Sequence, residues 1–504
     1  MFGRLLVANR GEIALRIMRT CRALGVETVA VYSDVDEGAP HVAAADRAER
    51  IGPAAPAESY LAGARIIDAA RRAGADAVHP GYGFLSESAA FAEACEQAGL
   101  RFVGPSPDVI ASAGSKLDAR RLAARAGVPV VPGSEPADQT PEGVRAAVAA
   151  VGFPALLKPS GGGGGKGMRV VRTAAETEAA VARTRREAVA AFGDGTLYVE
   201  RHLQRPRHVE VQVAGDPRGR VVHLFERECS IQRRYQKVIE ESPAPALPAA
   251  LRRELTAAAT ALARTAGYDN VGTVEFLVEG SGAAGRFYFL EMNTRLQVEH
   301  PVTELTTGVD LVRGQMEIAA DGRLPWTQSR LRQRGHGIEC RVYAENPADG
   351  FLPQAGRIEL YREPAGPGIR IDSGVEEGSL VPVQYDPLLA KVVACGERRD
   401  WALARMVEAL RRYPVLGVET NLHLLLQVLR HPRFVRGDLD TGFLDAERDV
   451  LLQPPGGAPL IAALAAAAAS RLRGGGDEPG AAASTPARAS DPWTDLPGWR
   501  LGRS

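Results

Sequence analysis

The strongest constraint on the fold lies in the first 33 residues. A short apolar run, RLLVA (4 to 8), is followed by a helix-period segment from Gly11 to Leu24, a glycine stop at Gly25, and a second apolar run, ETVAVYS (27 to 33). Strand, helix and strand with connections this short form a βαβ unit, in which the helix carries the chain back so that the two strands run parallel. The alternation continues through ADAVHPGYG and LRFVG, which predicts a small parallel, Rossmann-like sheet ending near residue 115. A dinucleotide turn needs GxGxxG directly after the first strand, and this chain has Asn9-Arg10-Gly11-Glu12 there, which excludes the NAD reading.

With 504 residues, 45% of them hydrophobic, the chain is too long for a single core, and about three compact units are expected. Its formal net charge is zero and it has no long basic run, which argues against a nucleic-acid surface and leaves any anion to be held by local clusters. Cys21, Cys95, Cys229, Cys340 and Cys395 are odd in number, scattered and free of CxxC spacing, so neither a disulfide framework nor a zinc site is expected. The N-terminus has only a five-residue apolar run, and no stretch approaches the roughly 20 residues of a membrane span, so a soluble, cytoplasmic protein is expected.

Beyond residue 115 the pattern changes. Residues 116 to 132 read as a short helix followed by VPVVP, after which two strands, PALLKPS and MRVVR, flank a run of glycines. The stretch from RHVEVQVAGD through VGTVEFLVEG and RFYFLEMNTRLQVEH to about 320 alternates with period two and reads as an antiparallel sheet. A new unit is expected from about Gly335 to Asp445, then a helix over PLIAALAAAAASRLR, then a flexible linker rich in Gly, Pro and Ala.

Lysine usage marks where chemistry is to be sought. Of the 61 basic residues only five are lysine (Lys116, Lys158, Lys166, Lys237 and Lys391), and the other 56 are arginine. Lysine is a compact point charge suited to a single phosphate oxygen, where arginine presents a planar fork. The SGGGGGKG stretch around Lys166 is not a P-loop, because Ser160 stands where the first glycine belongs and Gly167 where Ser or Thr belongs. Lying between two strands, it reads as a hairpin flap whose glycines let backbone N–H groups approach phosphates and let the flap hinge.

Glu291 and Asn293 are two residues apart and share one strand face opposite Leu290 and Met292, and Glu275 stands between Val274 and Phe276. Two carboxylates and an amide on neighbouring strands make a hard-oxygen site suited to magnesium bridging nucleotide phosphates. If the second strand continues, Arg295, Gln297 and Glu299 follow on the same side as an anion clamp, a hydrogen-bonder and a general base. ERECSIQRRYQK adds Arg233, Arg234 and Lys237, a basic cluster fit for a site whose reactants are all anions.

At HPGYGFLSE (79 to 87), KPSGGGGGKGMRVV, RRYQKVIEESPAP and EMNTRLQVEHPVTELTTGVDLV the chain resembles the biotin carboxylases of the ATP-grasp superfamily, over about residues 1 to 445. The resemblance implies an α/β and α+β multidomain fold: a Rossmann-like domain (1–115), an ATP-grasp domain (116–334) with a mobile lid (about 133–203), a biotin carboxylase C-terminal domain (335–445), and a helix with a flexible tail (446–504). It implies ATP-dependent carboxylation of biotin by bicarbonate through carboxyphosphate. ATP is assigned to Lys116, Lys158, Gly163, Gly164, Gly165, Lys166, Met168, Glu200, Arg201, Leu203, His208, Gln232, Tyr235, Glu275, Leu277 and Glu291. Mg2+, or Mn2+, is assigned to Glu275, Glu291 and Asn293.

In the same resemblance, Lys237, Arg295, Gln297 and Val298 hold bicarbonate and carboxyphosphate, and Tyr82 contributes to the bicarbonate and biotin site. Glu299 is the base that deprotonates bicarbonate, and Arg341, in IECRVYAE, stabilises the biotin enolate. Lys391 has no role. Tyr235 replaces the histidine of many relatives, and Arg201 replaces a lysine found in some. YPVLGVETNL, TGFLD and DPWTDLPGWRL resemble the α-chains of methylcrotonyl- or propionyl-type acyl-CoA carboxylases, but the Ala-Met-Lys-Met biotin acceptor does not occur. Either biotin is carried by another chain, which is the expectation adopted, or this chain is a truncated piece; a carboxyltransferase partner and a homodimer are also expected, with no nucleic-acid or membrane partner. The rival reading is a carbamoyl-phosphate synthetase half, which also forms carboxyphosphate, and HPGYGFLSE and the Arg341 segment oppose it. A non-catalytic nucleotide-sensing scaffold is opposed by the set Glu275, Glu291, Asn293 and Glu299.

Overall fold

The structure, a computed structural model, describes residues 1–161, 167–280 and 285–453. Strand β1 (Arg4–Val7), helix α1 (Gly11–Ala23) and β2 (Glu27–Ser33) form the expected βαβ unit, and Gly25 takes a φ of 70° just after the helix. With β3 (Arg47–Gly52), β4 (Ala77–His79) and β5 (Arg101–Phe102) they make a parallel sheet in the order β3-β2-β1-β4-β5. Leu5 and Val7 face α1, and Leu6 and Ala8 face the opposite layer, so both faces are covered, as a parallel sheet requires.

Helix α2 (Lys116–Arg125) leads to a small antiparallel sheet of β6 (Gly133–Ser134), β7 (Ala155–Pro159), β8 (Arg169–Val171) and β9 (Leu197–Arg201), in the order β6-β9-β7-β8. Helices α3 (Pro141–Val151) and α4 (Thr177–Phe192) pack on it around Val144, Val148, Leu157 and Val199. The two strands that flank the glycine run pair as a hairpin, with Ala155 opposite Val171. The tip of that hairpin, with Gly163, Gly164, Gly165 and Lys166, lies outside the described residues, as do the C-terminal helix and linker expected beyond residue 453.

The third sheet has eight antiparallel strands: β10 (Arg207–Gly215), β11 (Val221–Arg233), β12 (Gln236–Ser242), β13 (Val271–Glu279), β14 (Arg286–Asn293), β15 (His336–Tyr343), β16 (Ile369–Ser373) and β17 (Leu388–Gly396). Their order is β14-β13-β10-β11-β12-β15-β17-β16. A new unit is expected from the sequence near Gly335, yet β12 pairs with β15 across that point, Ile239 opposite Cys340, and one sheet runs on. Val209, Val211 and Val213 on β10 bury against Leu255 and Leu262 of helix α5 (Ala249–Thr265), which leaves the alternate residues His208, Glu210 and Gln212 on the other face. Helix α6 (His300–Thr307) lies against β11, β12, β15 and β17.

Candidate active site

On the acidic face of the third sheet, Glu275 stands directly opposite Glu291, and Thr273 opposite Asn293. Like charges at paired positions repel unless a cation lies between them, and burial together with Glu275 pushes the Glu291 carboxyl above its ordinary range. Glu291 makes no hydrogen bond or ion pair among the described residues, while Asn293 donates to Glu275 Oε1 at 2.9 Å. Two hard carboxylates, one of them unpartnered, with an amide beside them, fit a divalent cation such as Mg2+.

Leu290 departs from the simple alternation. A bulge shifts the register between Glu275 and Phe276, so Leu290 joins Glu291 on a cavity wall while Met292 alone packs into the core beneath. The strand also does not continue past Asn293 as the spacing predicts. The chain leaves the sheet at Thr294, and Glu299 becomes the residue preceding α6, with Pro301 in that helix's first turn. Pro favours a first helical turn and lacks the N–H that a central strand needs. The three residues reach the site all the same. Arg295 donates to Gln297 Oε1 at 2.7 Å and to Glu87 Oε2 at 2.9 Å, and Gln297 donates to Glu275 Oε1 at 3.2 Å.

Lys237 is the centre of the charge network. Its Nζ lies 2.5 Å from Glu210 Oε2, 2.7 Å from Glu275 Oε1 and 2.6 Å from Glu299 Oε1. Glu299 is fully buried, and its second oxygen accepts from Arg341 at 2.8 Å. Burial disfavours its charge, but Lys237 and Arg341 outweigh that and hold it well below the ordinary carboxylate range. Arg341 also donates to Glu240 Oε1 at 2.6 Å, and burial pushes the Glu240 carboxyl up to about 7 against that pairing. Beneath Lys237, Arg227 is fully buried and bonds Glu210 at 2.5 Å, Gln212 at 2.7 Å and Thr303 at 2.8 Å, tying α6 to the sheet.

Two cavities meet here. The larger, about 910 Å³, is lined by Tyr82, Lys237, Asn293, Arg295, Gln297, Val298 and Arg341, and Glu299 lies just behind that wall. The smaller, about 500 Å³, has apolar lining from Val131, Leu156, Met168, Leu203, Leu277 and Leu290 and polar lining that includes Lys116, Lys158, Glu200, Arg201 and Gln232. His208, Tyr235, Glu275 and Glu291 border both. Lys116 Nζ is buried without a hydrogen-bond partner among the described residues, and burial lowers its pKa although Glu291 opposes the shift. Lys158 instead bonds Glu200 Oε2 at 2.6 Å, and Arg120 takes the other oxygen at 2.7 Å. His208 Nε2 lies 2.9 Å from Glu275, which raises its pKa against the effect of burial. An apolar cavity with cations in its lining, one of them, Lys116, without a hydrogen-bond partner among the described residues, suits a nucleotide.

Arg234 and Tyr235 form the two-residue turn between β11 and β12 with φ of 48° and 67°, a left-handed turn that matches strand twist but is costly for bulky residues. One nitrogen of the Arg201 guanidinium donates to Glu279 at 2.9 Å and to the Tyr288 hydroxyl at 3.2 Å. Sequence reasoning missed Glu210, although HVEVQV places it between His208 and Gln212 by the same period-two rule used for Glu291. Arg227, Glu240 and Glu87 carried no comparable signal.

Family models for the biotin carboxylase N-terminal domain match residues 1–110, for the carbamoyl-phosphate synthase L chain ATP-binding domain residues 115–327, and for the biotin carboxylase C-terminal domain residues 339–446. The chain belongs to the biotin carboxylase family. It is 47% identical over 445 residues to biotin carboxylase 1 of Bacillus subtilis, covering 88% of this chain and 98% of that protein. It is 49% identical over 448 residues to the mitochondrial methylcrotonoyl-CoA carboxylase subunit alpha of Glycine max, of which it spans 61%. Among solved structures, the biotin carboxylase domain dimer of the Hydrogenobacter thermophilus 2-oxoglutarate carboxylase, in complex with MgADP, ADP and bicarbonate, matches with a TM-score of 0.86 at 42% identity, covering 90% of this chain and all of that one. The biotin carboxylase of Campylobacter jejuni in a βγ-ATP complex matches with a TM-score of 0.85 at 42% identity, covering 88% of this chain and 99% of that one.

Proposed function

We propose that this chain carboxylates biotin, carried on a separate protein, at the expense of ATP and bicarbonate, as the biotin carboxylase component of an acyl-CoA carboxylase. The observation that carries the reading is Glu299, a buried carboxylate held as an anion between Lys237 and Arg341 at the wall of a large cavity. Lys237, Arg295, the Gln297 amide and the Val298 N–H make an anion seat for bicarbonate. When a second anion shares Lys237, Glu299 is less strongly held and becomes the better base. It takes the bicarbonate proton as the freed oxygen attacks the γ-phosphorus and ADP leaves, forming carboxyphosphate. Arg341 then faces the ureido oxygen of biotin and stabilises the negative charge that develops as the phosphate leaving carboxyphosphate takes the ureido nitrogen's proton and that nitrogen bonds the carboxyl carbon, giving carboxybiotin and phosphate.

Glu275, Glu291 and Asn293 would hold Mg2+, or Mn2+, which would supply positive charge to offset the nucleotide phosphates. Lys116 and Lys158 take phosphate charge. Domain limits near 115, 334 and 445, a homodimer, a carboxyltransferase partner and a cytoplasmic location complete the proposal. The last is supported by five cysteines that are all unpaired.

The test is incubation of the purified chain with ATP, Mg2+, labelled bicarbonate and free biotin. Acid-labile label on biotin, formed with ADP and dependent on all four components, is the expected result. ATP cleavage stimulated by ammonia and indifferent to biotin would overturn the reading in favour of carbamoyl-phosphate synthesis.

A further inference from the structure

Lys391 lies in the middle of β17, between Arg341 on β15 and Asp372 on β16 in register. Its side chain is fully buried, and a buried ammonium must be paired and hydrogen-bonded. Its partners are specific. Nζ donates to the main-chain carbonyl of Val298 at 2.8 Å, lies 3.1 Å from Glu12 Oε2 and 4.0 Å from Asp372 Oδ2, and sits 6.0 Å from the centre of the Tyr82 ring. The other oxygen of Glu12 accepts from the Tyr82 hydroxyl. Glu12 is in the first turn of α1, held close to the β16–β17 connection because a Cβ on Gly374 would lie 2.6 Å from the Glu12 nitrogen.

We propose that Lys391 and Glu12 are a positioning pair for the two substrates of the larger cavity. Lys391 fixes the peptide that presents Val298 and Glu299 to bicarbonate, and Glu12 fixes the Tyr82 ring on the biotin side. The proposal rests on the biotin carboxylase reading for the identity of those substrates. Lys391 does not line the cavity, and Glu12, which does, has its two oxygens turned to the Tyr82 hydroxyl and to Lys391. Each acts through a neighbour contributed by another part of the chain: Val298 from the segment after β14, and Tyr82 from the loop after β4. Lysine suits the place, since a compact point charge can bond one carbonyl at 2.8 Å while two carboxylates, at 3.1 and 4.0 Å, balance it from other directions.

The two arms separate in a test. Lys391→Met removes the donor to Val298, and the KM for bicarbonate should rise by about tenfold or more, the usual effect of losing a charge-assisted hydrogen bond, while the KM for ATP stays within about twofold. Hydrogen exchange across 294–299 should quicken by a similar factor, with β13 unchanged. Glu12→Gln keeps shape and folds even if Lys391→Met does not, because Lys391 retains Val298 and Asp372. Its effect should fall on the KM for biotin, with ATP again unaffected. The exchange measurement needs no turnover, so it decides the positioning role even if the wild-type chain proves inert toward biotin, an outcome that would sink the functional reading alone. Unchanged exchange at 294–299 in folded Lys391→Met, or equal rises in the KM values of all three substrates in either variant, would overturn the proposal.

Discussion

Glu299→Gln separates proton transfer from structure. The amide keeps the bulk and hydrogen-bonding reach of the side chain but cannot accept a proton from bicarbonate. Loss of a general base costs about a hundredfold or more, equivalent to roughly 2.7 kcal/mol of barrier. The surroundings indicate that the fold tolerates the change. Lys237 keeps Glu210 at 2.5 Å and Glu275 at 2.7 Å, and Arg341 keeps Glu240 at 2.6 Å, so neither cation is left unpaired in the interior. Stability should fall by no more than about 1–2 kcal/mol, well short of the loss when a buried charge is stranded. The assay is bicarbonate-dependent ADP release at saturating ATP, followed beside a urea unfolding curve. A variant that unfolds like the wild type and releases ADP within about threefold of its rate would show that Glu299 is not the base.

Lys116→Gln should raise the KM for ATP by about tenfold or more while leaving that for bicarbonate nearly unchanged, since Lys116 lines only the smaller cavity and has no protein partner among the described residues; equal changes in both constants would contradict the separation of cavities. Arg227→Met leaves Glu210 with Lys237 as its remaining cation and frees Gln212 and Thr303, and should lower stability by about 1.5–3 kcal/mol in urea unfolding. Glu345 is pushed up to about 7 by burial, which outweighs its ion pair with Arg233 at 2.7 Å. A raised carboxyl holds its proton longer in the folded chain than in the unfolded one, so its contribution to stability is full at low pH and is lost as pH rises from the ordinary carboxylate value through about 7. Glu345→Gln should therefore flatten the fall in melting temperature between pH 5 and 7, and an unchanged slope would count against this assignment.

Local patterns were legible in the sequence, and long-range geometry was not. The βαβ start, the glycine-flanking hairpin and the shared face of Glu275, Glu291 and Asn293 all follow from periodicity within a few residues. The eight-stranded sheet does not, because nothing local announces that Ile239 meets Cys340 across about a hundred residues of chain. Period-two reading carried Arg295, Gln297 and Glu299 along a strand that in fact ends at Asn293, and Pro301 was the local signal that a helix begins there. Arg227, Glu240 and Lys391 matter because of acids brought to them by other strands, so their roles become visible only with the fold. The four-motif resemblance supplied the role of Arg341, which spacing alone left open, and named bicarbonate as the acid for the general base that spacing had offered at Glu299.

The division of labour between Glu299 and Arg341 is the central claim, and the ratio of ADP to carboxybiotin in Arg341→Ala, with labelled bicarbonate and excess free biotin, tests it most directly. Arg341 holds one oxygen of Glu299 at 2.8 Å, whereas Lys237 holds the other at 2.6 Å and stays in place in the variant. Bicarbonate-dependent ATP cleavage should largely survive while carboxylation of biotin drops, so the ratio should rise well above that of the wild type. If ATP cleavage and carboxylation fell in equal proportion, Arg341 would belong to the bicarbonate seat and the account of the second half-reaction would be wrong.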